Sequence, residues 1–426
     1  MIAFYVLSNL NLLNAALVKW TYFPEEEADL IIRANLPQLS GKLVRAYVKN
    51  GTFHAVHPIP HPYHLRPECG KYGKIPGIRK ITCFWDHYRY NESILSRTVG
   101  KQKYDTLIVP YLGNMIEYIA VYLKKCNPDI QIAFYEEGSF TYTRPISQLL
   151  SHMDMGKRTW KDIFADKIGE EFFLRQARKN AIRDMYLHIP NPEMVDPWFQ
   201  NLRLLPPVAR YPECLRPLKE MSAHLKFENV EMYRRRMAVF LAGYCDPISN
   251  AKLENCQAME DDFLVFMTMC QTLGMNECIL KPHPGSKVAV EHLGKNFESS
   301  RLYIDRNAYL FETMFLAAED CEDLLLIGRY SATALNIKFW LDKEPYFIYT
   351  HRLFPSYVAN QDHTIDRFIE NVKSTYRDPE KIMVPNSMAE YKDMLKWVRE
   401  KIWNKRCHCD KLAIRDNDQM QEGCLI

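Results

Sequence analysis

The sequence predicts an α/β fold built from two Rossmann-like domains, and two observations support this prediction. Short apolar runs alternate with amphipathic helical segments, a pattern typical of parallel β-sheets whose strands are joined by helices. The same alternation occurs twice along the chain, before and after a proline-rich stretch. A chain of 426 residues also exceeds what one hydrophobic core normally supports, so more than one domain is expected.

The first domain is predicted over residues 1–235. Its N-terminal run is apolar, but three asparagines interrupt it and no basic segment precedes it, which argues against a signal peptide. This run predicts a buried strand and then a helix from about Leu10 to Trp20. A helical pattern also spans Met115 to Lys125. Strands are expected at Ile2–Leu7, Leu30–Arg33, Ile81–Phe84, Thr106–Val109 and Ile130–Tyr135.

A helical insert and a linker are predicted within this domain, over about residues 139–235. The helices are expected at Leu149–Lys157, Trp160–Tyr186 and Leu215–His224. Residues 190–212 contain many prolines and show no regular period, so they predict a linker that wraps over the surface.

The second domain is predicted over residues 236–385, followed by a C-terminal helix within residues 386–406. One face of that helix is apolar, which predicts that it packs back onto the body of the protein. The opposite face is basic and leaves open a peripheral contact with an anionic membrane. Residues 407–426 are polar and are predicted to form a tail. Strands of the second domain are expected at Met237–Ala242, Cys278–Lys281, Leu324–Ile327 and Tyr346–Tyr349.

Composition excludes several classes of function. The formal net charge of +3 is too small to argue for nucleic-acid binding, and no motif combines basic with aromatic residues convincingly. No stretch approaches the 18 apolar residues that a membrane span needs. The 12 cysteines are scattered, many of them inside apolar runs, which favours reduced thiols and a cytoplasmic location, including the inner face of the membrane.

Two segments carry metal-binding residue types, but neither predicts a metal site. His54, His57, His61 and His64 cluster in a proline-rich segment that cannot form a helix and that has no acidic residue nearby in the sequence. This segment predicts a loop of solvated or stacked histidines. The segment Cys407–Cys409 offers two thiols and one imidazole, too few ligands for a site by themselves.

An acidic pair stands at the end of a predicted strand. Glu136 and Glu137 follow Tyr135 directly, and Gly138 comes next. Ligands of open parallel sheets bind at the carboxyl ends of strands, so one carboxylate is expected to act as a base. Neighbouring residues of an extended chain point in opposite directions, and Glu136 is favoured because it leaves the strand first. Gly138 permits a tight turn and close approach of a ligand. The alternative is a surface turn with two solvated glutamates.

A histidine follows the strand that ends at Lys281. Pro282 and Pro284 flank His283 and restrict its backbone, so the imidazole is held in a fixed orientation. Gly285 and Ser286 then open a predicted helix, whose free N–H groups attract a phosphate, and Lys281 adds positive charge. This segment predicts that His283 donates a hydrogen bond or a proton to a leaving phosphate. The alternative is a rigid turn with a buried histidine.

Two further segments follow predicted strands of the second domain. Ser331 and Thr333 provide two hydroxyls at the start of a helix, a neutral way to hold a phosphate. Helix caps use the same residues everywhere, so this pair gains weight from its position one α/β unit after His283. Gly243 follows the first strand of the domain and is expected to let a ligand approach the backbone.

Taken in order, these motifs resemble those of the bacterial sialyltransferases, especially the lipooligosaccharide sialyltransferase and capsule polysialyltransferase families. Those families share an acidic-acidic-glycine motif, a His-Pro motif and a later Ser/Thr pair. The matching segments here are Glu136–Gly138, His283-Pro284, and Ser331 with Thr333. The families' two hydroxyl residues are often adjacent, whereas here Ala332 separates them.

The resemblance implies a GT-B fold, in which two Rossmann-like domains face each other across a cleft and the second holds the donor nucleotide. It implies inverting transfer of sialic acid from CMP-sialic acid to a cell-surface glycan, without a metal or another cofactor. The general base then falls on the acidic pair, the phosphate stabiliser on His283, and the CMP-phosphate contacts on Ser331 and Thr333. The expected partners are a nucleotide sugar and a glycan acceptor.

Two other functions fit the same residues. A GT-B transferase could use another donor, CMP-Kdo or a UDP-hexose. A GT-B-like sugar-nucleotide epimerase also needs carboxylates and a histidine in its cleft. A non-catalytic glycan-binding protein fits least well, because it has no use for an acid–base pair.

Overall fold

The fold is seen in a computed structural model that describes most of both predicted domains. Described are residues 1–34, 39–60, 89–111, 115–138, 141–142, 181–195, 197–223, 227–235, 237–243, 253–283, 303–305, 311–317, 323–355 and 364–402. The predicted strand at Ile81–Phe84, the predicted helix at Leu149–Lys157, and the segments around His61, His64 and Cys407–Cys409 lie outside these ranges.

Contacts between residues divide the chain into two compact units. Unit 1 contains Met1–His224, Phe339–Asp342 and Thr364–Asn371, and unit 2 contains Leu225–Lys338, Lys343–His363 and Val372–Ile426. Each unit therefore includes residues from more than one part of the sequence. The predicted domain boundaries at residues 235, 385 and 406 stay predictions.

Unit 1 is built on a parallel sheet that has seven strands within the described ranges. The strand order is β3-β2-β1-β4-β5-β6-β7, with the first strand near the centre, which is a Rossmann-like topology. The strands are β1 (Ile2–Val6), β2 (Ala28–Arg33), β3 (Ala55–Ile59), β4 (Thr106–Val109), β5 (Gln131–Tyr135), β6 (Ala181–Leu187) and β7 (Asn201–Leu204).

Helices connect the strands of unit 1, and the first is buried along most of its length. It begins after Ser8, whose hydroxyl accepts a hydrogen bond from the Asn11 N–H at 3.1 Å and so satisfies one free donor of the first turn. The predicted N-terminal strand and helix are thus confirmed. The helices are α1 (Asn9–Tyr22), α2 (Gly41–Lys49), α3 (89–98), α4 (Met115–Cys126) and α5 (Pro212–Ala223).

The prediction of a loop around His57 was wrong, because β3 is a strand. It pairs in parallel with β2, with Ile32 opposite Pro58. Pro58 cannot donate a ladder hydrogen bond, yet it is tolerated because β3 is the outermost strand of the sheet among the described residues. The strand was not predicted because its segment is rich in proline, which is typical of loops.

The helical insert predicted over about residues 139–235 was also wrong in part. Ala181–Tyr186 lies in β6 and not in a helix, and β7 falls inside the stretch predicted as a linker. β6 is flanked by β5 and β7, so its apolar residues do not show the simple alternation of a strand with one exposed face. The predicted helix at Leu215–His224 is confirmed by α5.

Unit 2 is built on a second parallel sheet, of six strands within the described ranges. Its order is β10-β9-β8-β11-β12-β13, again a Rossmann-like order. The four predicted strands are confirmed. The two strands that the sequence did not predict are each two residues long and lie at the two edges of the sheet. The strands are β8 (Ala238–Leu241), β9 (Cys278–Lys281), β10 (Tyr303–Ile304), β11 (Leu325–Gly328), β12 (Tyr346–Tyr349) and β13 (Ile382–Met383).

The C-terminal helix belongs to the core of unit 2. Its side chains at Tyr391, Leu395, Val398 and Ile402 are buried in one apolar cluster with residues of β8, β9, β11 and β12. This confirms the predicted packing of the helix onto the body. The remaining helices are α6 (Phe227–Arg235), α7 (Leu253–Leu273), α8 (Met314–Ala317), α9 (Thr333–Leu341), α10 (Thr364–Thr375) and α11 (388–402).

Both predicted Rossmann-like domains are therefore present, each as a parallel sheet with its own strand order. In the part of the chain that the structure describes, no helix combines the length and hydropathy needed to cross a membrane.

Candidate functional site

The carboxyl ends of three adjacent strands in unit 2 bring several predicted site residues to one edge of the sheet. In the order β9-β8-β11, Gly243 follows β8, His283 follows β9, and Ser331 and Thr333 follow β11. The connections from β8 and from β11 run in opposite directions along the sheet, so the boundary between them is the topological switch point. Ligands of open α/β sheets bind outside the carboxyl ends of strands at such a point.

Gly243 is closely approached by an arginine side chain. A Cβ atom at this position would lie 2.8 Å from Nη2 and 3.0 Å from Cζ of Arg329. Contacts below 3.0 Å are essentially never made by real Cβ atoms, so the guanidinium occupies the space that any larger residue would need. The sequence predicted that Gly243 leaves room for a ligand, whereas the structure shows that this room holds Arg329.

Arg329 forms a two-pronged ion pair with Asp262 of α7. The distance from Nε to Oδ1 is 2.8 Å and that from Nη2 to Oδ2 is 2.5 Å. The two side chains are only 11% and 8% exposed, so water screens the pair weakly. A two-pronged pair fixes the plane of the guanidinium as well as its position.

The two predicted hydroxyls lie together at the start of α9. Ser331 Oγ and Thr333 Oγ1 are 2.7 Å apart, and the Thr333 N–H donates to Ser331 Oγ at 3.2 Å. The Ser331 carbonyl accepts a hydrogen bond from the Tyr349 hydroxyl at 3.2 Å, which ties the turn to β12. The intervening Ala332 therefore does not separate the two hydroxyls in space.

His283 lies just beyond β9, half-buried, and burial lowers the pKa of its imidazole. A neutral imidazole can donate one hydrogen bond from a ring N–H, which suits a contact with phosphate. Pro284, Gly285 and Ser286 lie outside the described residues, so the predicted phosphate-binding helix after His283 stays a prediction.

Lys281 is buried, so its ammonium group is not exposed to a ligand from solvent. Its Nζ lies 3.3 Å from Oδ2 of Asp305, which also accepts a hydrogen bond from the Tyr233 hydroxyl at 2.5 Å. Burial lowers the pKa of Lys281, while Asp305 acts against that shift. The ammonium thus neutralises a buried carboxylate, and its predicted contact with donor phosphate has no support in this geometry.

Glu136, in unit 1, is fully buried at the end of β5. Oε2 accepts hydrogen bonds from the Tyr142 hydroxyl and, at 2.9 Å, from the His188 N–H. Asn14 Nδ2 donates to the Glu136 carbonyl at 2.9 Å. The carboxyl group is therefore held by two donors and the backbone carbonyl by a third, and the side chain is not a solvated group of a surface turn.

Burial raises the pKa of Glu136 to about 7, although the hydrogen bonds from Tyr142 and His188 act in the opposite direction. Oε1 is enclosed, and among the described residues it has no hydrogen-bond partner. A buried carboxylate oxygen without a partner is costly, and this cost favours the protonated form of the carboxyl group. A carboxyl with a pKa near neutrality is also suited to take up a proton at physiological pH.

Glu137 and Gly138 form the turn after Glu136. The Glu137 side chain is half-exposed, and its N–H donates to Thr141 Oγ1 at 2.9 Å. Gly138 has φ of 119°, in a region that favours glycine, so the turn needs this residue for its backbone. The two carboxylates therefore have different environments, as the sequence predicted for neighbouring residues.

A histidine that the sequence did not single out completes the surroundings of Glu136. His188 is buried beyond the end of β6, and its ring packs against Phe339 at 5.1 Å between centroids. Within the described ranges, neither ring nitrogen has a hydrogen-bond partner. Burial lowers the pKa of His188 to about 4, so the ring is neutral. No motif marks His188, Tyr142 or Asp262, and only the β-ladder and helix packing bring them to their sites.

The histidines of β3 contact an acidic residue that is distant in the sequence. His57 Nε2 lies 3.1 Å from Asp29 Oδ2, and the Tyr104 hydroxyl donates to the same oxygen at 2.7 Å. The expectation of no nearby carboxylate was therefore wrong, because β2 pairs with β3. Among the residues that the structure describes, no group of three or more His, Cys, Asp or Glu side chains could hold a metal ion.

No protein-family model and no curated protein matches this chain. Among solved structures, a UDP-N-acetylglucosamine 2-epimerase is 7% identical over 94% of this chain and 86% of its own, with a TM-score of 0.47. The UDP-GlcNAc 2-epimerase of Neisseria meningitidis is 8% identical over 96% and 100%, at 0.44. MurG of Acinetobacter baumannii is 8% identical over 95% and 91%, at 0.39. The fold assignment rests on the strand order of the two sheets.

Proposed function

We propose that the protein is a glycosyltransferase that uses a nucleotide sugar, with the donor phosphate bound at the carboxyl edge of the second sheet. The observation that carries this proposal is the placement of His283 after β9 and of the Ser331–Thr333 hydroxyl pair after β11, on either side of β8 at one carboxyl edge of the sheet. Hydroxyls, a neutral imidazole and a helix start are donors that recognise phosphate. The same edge also carries the guanidinium of Arg329.

The finer proposal is that the donor is CMP-sialic acid and the acceptor a cell-surface glycan. It is supported by the order of the three motifs and by the approach of Ser331 to Thr333, which form one hydroxyl pair as in the sialyltransferase motif. A CMP-linked sugar carries a good leaving group, so the proposal includes no metal. Contact with a membrane surface is also part of this proposal.

In the proposed reaction, an oxygen of the acceptor hydroxyl attacks the anomeric carbon of the donor sugar. The bond from that carbon to the phosphate oxygen breaks, CMP leaves with the electron pair, and the anomeric configuration inverts. The hydroxyl proton passes to Glu136, whose raised pKa and unpaired Oε1 support its role as the base. His283 donates a hydrogen bond to the phosphate as negative charge grows there.

Nucleotide binding provides the first test. In calorimetric titrations with CMP, UDP and GDP, we expect CMP to bind most tightly, and Ser331→Ala with Thr333→Val to weaken it about tenfold. Thr272→Val is the matched control, since this threonine hydroxyl donates to the Thr268 carbonyl within α7. Tightest binding of UDP would replace CMP-sialic acid by a UDP-sugar donor. Absence of binding by all three nucleotides would overturn the proposed function.

Turnover provides the second test. The wild-type protein should release CMP from CMP-sialic acid when a galactose-terminated acceptor is present, and His283→Ala and Glu136→Ala should each abolish this release while folding is retained. Wild-type turnover by either variant would contradict its assigned role. Conversion of a UDP-sugar without any acceptor would instead identify an epimerase.

A further inference from the structure

Arg329 occupies a special place in unit 2, directly after β11 and against the backbone that follows β8. These two strands border the switch point, where the proposed donor phosphate binds. The residue stands two positions before Ser331, so its side chain and the hydroxyl pair belong to one turn. The turn is therefore anchored to a neighbouring strand end through this side chain.

Position 243 requires glycine because of the packing of Arg329 and not because of its backbone conformation. Gly138 and Gly274 have positive φ values, whereas Gly243 is outside that region. Its Cβ position is blocked instead by three atoms of one guanidinium, at 2.8, 3.0 and 3.1 Å. The packing of arginine on Gly243 is thus close enough to exclude every other residue type unless the guanidinium moves.

Asp262 holds the guanidinium in this position from the other side. The pair uses Nε and Nη2, so the plane of the guanidinium is set by α7 and its depth by Gly243. A lysine could keep the charge but could not form this planar two-pronged contact. Three elements, β8, α7 and β11, therefore converge on one side chain.

We propose that Arg329 is a positioning residue for the donor phosphate, locked by Asp262 and Gly243 so that the Ser331–Thr333 pair is presented in one fixed orientation. This inference rests on the proposed function. The Tyr349 hydroxyl holds the Ser331 carbonyl, and the Arg329 lock holds the preceding part of the turn. Pre-organised hydrogen-bond donors bind a phosphate without an added ordering cost, so loosening the lock weakens nucleotide binding.

The decisive variant is Gly243→Ala, because it adds a single methyl group against the guanidinium. We expect CMP to bind about tenfold more weakly to this variant in calorimetric titration, since the turn must shift. The Michaelis constant for the acceptor should stay within about twofold, because the proposal assigns this turn to the donor phosphate and not to the acceptor. Gly41→Ala is the matched control, since its added Cβ would lie 3.6 Å from an arginine Nη1, an ordinary contact.

A double-mutant cycle separates a lock from a simple loss of stability. Arg329→Ala removes the atoms that the new methyl group strikes, so Gly243→Ala should have almost no further effect on CMP affinity in that background. Arg329→Lys should restore less than half of the CMP affinity lost in Arg329→Ala, because charge alone does not restore the two-pronged ion pair with Asp262. Asp262→Asn should behave like Arg329→Lys.

The outcomes distinguish this inference from the function on which it depends. If the wild-type protein binds CMP and Gly243→Ala binds it equally well, while only the melting temperature falls, the ion pair is purely structural and the inference is wrong. Additive effects of Gly243→Ala and Arg329→Ala on CMP affinity would also overturn it. If the wild-type protein binds none of CMP, UDP and GDP, the proposed function itself fails.

Discussion

Glu136 in unit 1 and Glu344 in unit 2 are both buried, but their pKa values are shifted in opposite directions. Glu136 is fully buried among neutral donors, and burial raises its pKa to about 7. Glu344 is 5% exposed, and although burial acts to raise its pKa, hydrogen bonds from Arg377 and Lys338 lower it to about 2. Burial alone therefore does not decide the charge of a carboxyl group, because the charge of its partners decides it.

The two environments also differ in what they can do. Lys338 Nζ lies 2.5 Å from Glu344 Oε1, and Arg377 Nε lies 3.1 Å from the same oxygen. This glutamate is therefore ionised at neutral pH and ties α9 to the segment after α10. Glu136 has no such cation among its hydrogen-bond partners. The contrast fits a structural role for Glu344 and the proposed role of Glu136 in proton transfer, and the following predictions test it.

The largest effect is expected on turnover in Glu136→Gln. The amide keeps the shape of the side chain and can still accept from Tyr142, but it cannot take up a proton. The turnover number should fall by about a hundredfold or more, which is the usual contribution of a general base. Glu137→Gln is the matched variant on the next residue, and it should retain most activity. Equal losses in both variants would assign proton transfer to the pair and not to Glu136.

A smaller effect, on stability, is expected in Glu344→Gln. The change leaves Lys338 without its ionised partner in a largely buried position, and we expect about 2 kcal/mol less free energy of unfolding at pH 7 in urea titrations. The stabilisation by Glu344 is present above its unfolded pKa of 4.5 and is lost as the pH falls towards 2. The difference from the wild type should therefore shrink below pH 4.5. A difference that is independent of pH would contradict the role of its charge.

Glu136→Gln should have the opposite effect on stability. Because the folded pKa of Glu136 is raised, the folded protein holds this proton more tightly, and wild-type stability falls as the pH rises from 4.5 to about 7. The amide does not titrate, so the variant should be more stable than the wild type by about 1 to 2 kcal/mol at pH 8 and should lose this advantage near pH 5. Lower stability of the variant at pH 8 would show that the carboxylate is not strained.

The smallest effect is expected in His57→Gln, because His57 is the titratable partner of the buried Asp29 carboxyl group. The hydrogen bond that His57 donates to the Asp29 carboxylate raises the pKa of His57, while burial acts against this shift. The stabilisation is therefore full below the ordinary histidine pKa of 6.5 and is lost as the pH rises through the higher folded value. His57→Gln should lower the free energy of unfolding by about 1 kcal/mol at pH 6 and by less at pH 9. Proton NMR titration of the imidazole measures the shift directly.

The sequence was sufficient for most strands because buried parallel strands are continuous apolar runs. It failed where a strand is at an edge or carries proline, as in β3, and where β6 follows a long segment with a helical pattern. The acidic pair, His283 and the hydroxyl pair were visible because each follows such a run directly. Asp262 and His188 were not visible, because their roles arise from contacts between residues that are far apart along the chain.

The reason for Gly243 illustrates the same limit. A glycine after a strand predicts close approach of some group, but the sequence does not say which group approaches. Here it is a side chain of the same unit, 86 positions further along, at Arg329. At this position, close packing of a side chain and close approach of a ligand would therefore both require glycine, and the sequence does not distinguish them.

The discontinuous make-up of unit 1 affects how the protein could be divided experimentally. Phe339, which covers the His188 ring, and Phe368, which stacks on Tyr142 at 5.6 Å, both come from the C-terminal half of the sequence. A fragment that stops at His224 would lose both rings and would leave the neighbours of Glu136 without their aromatic cover. We therefore expect that two fragments separated at that point do not fold independently and that they function only when they are produced together.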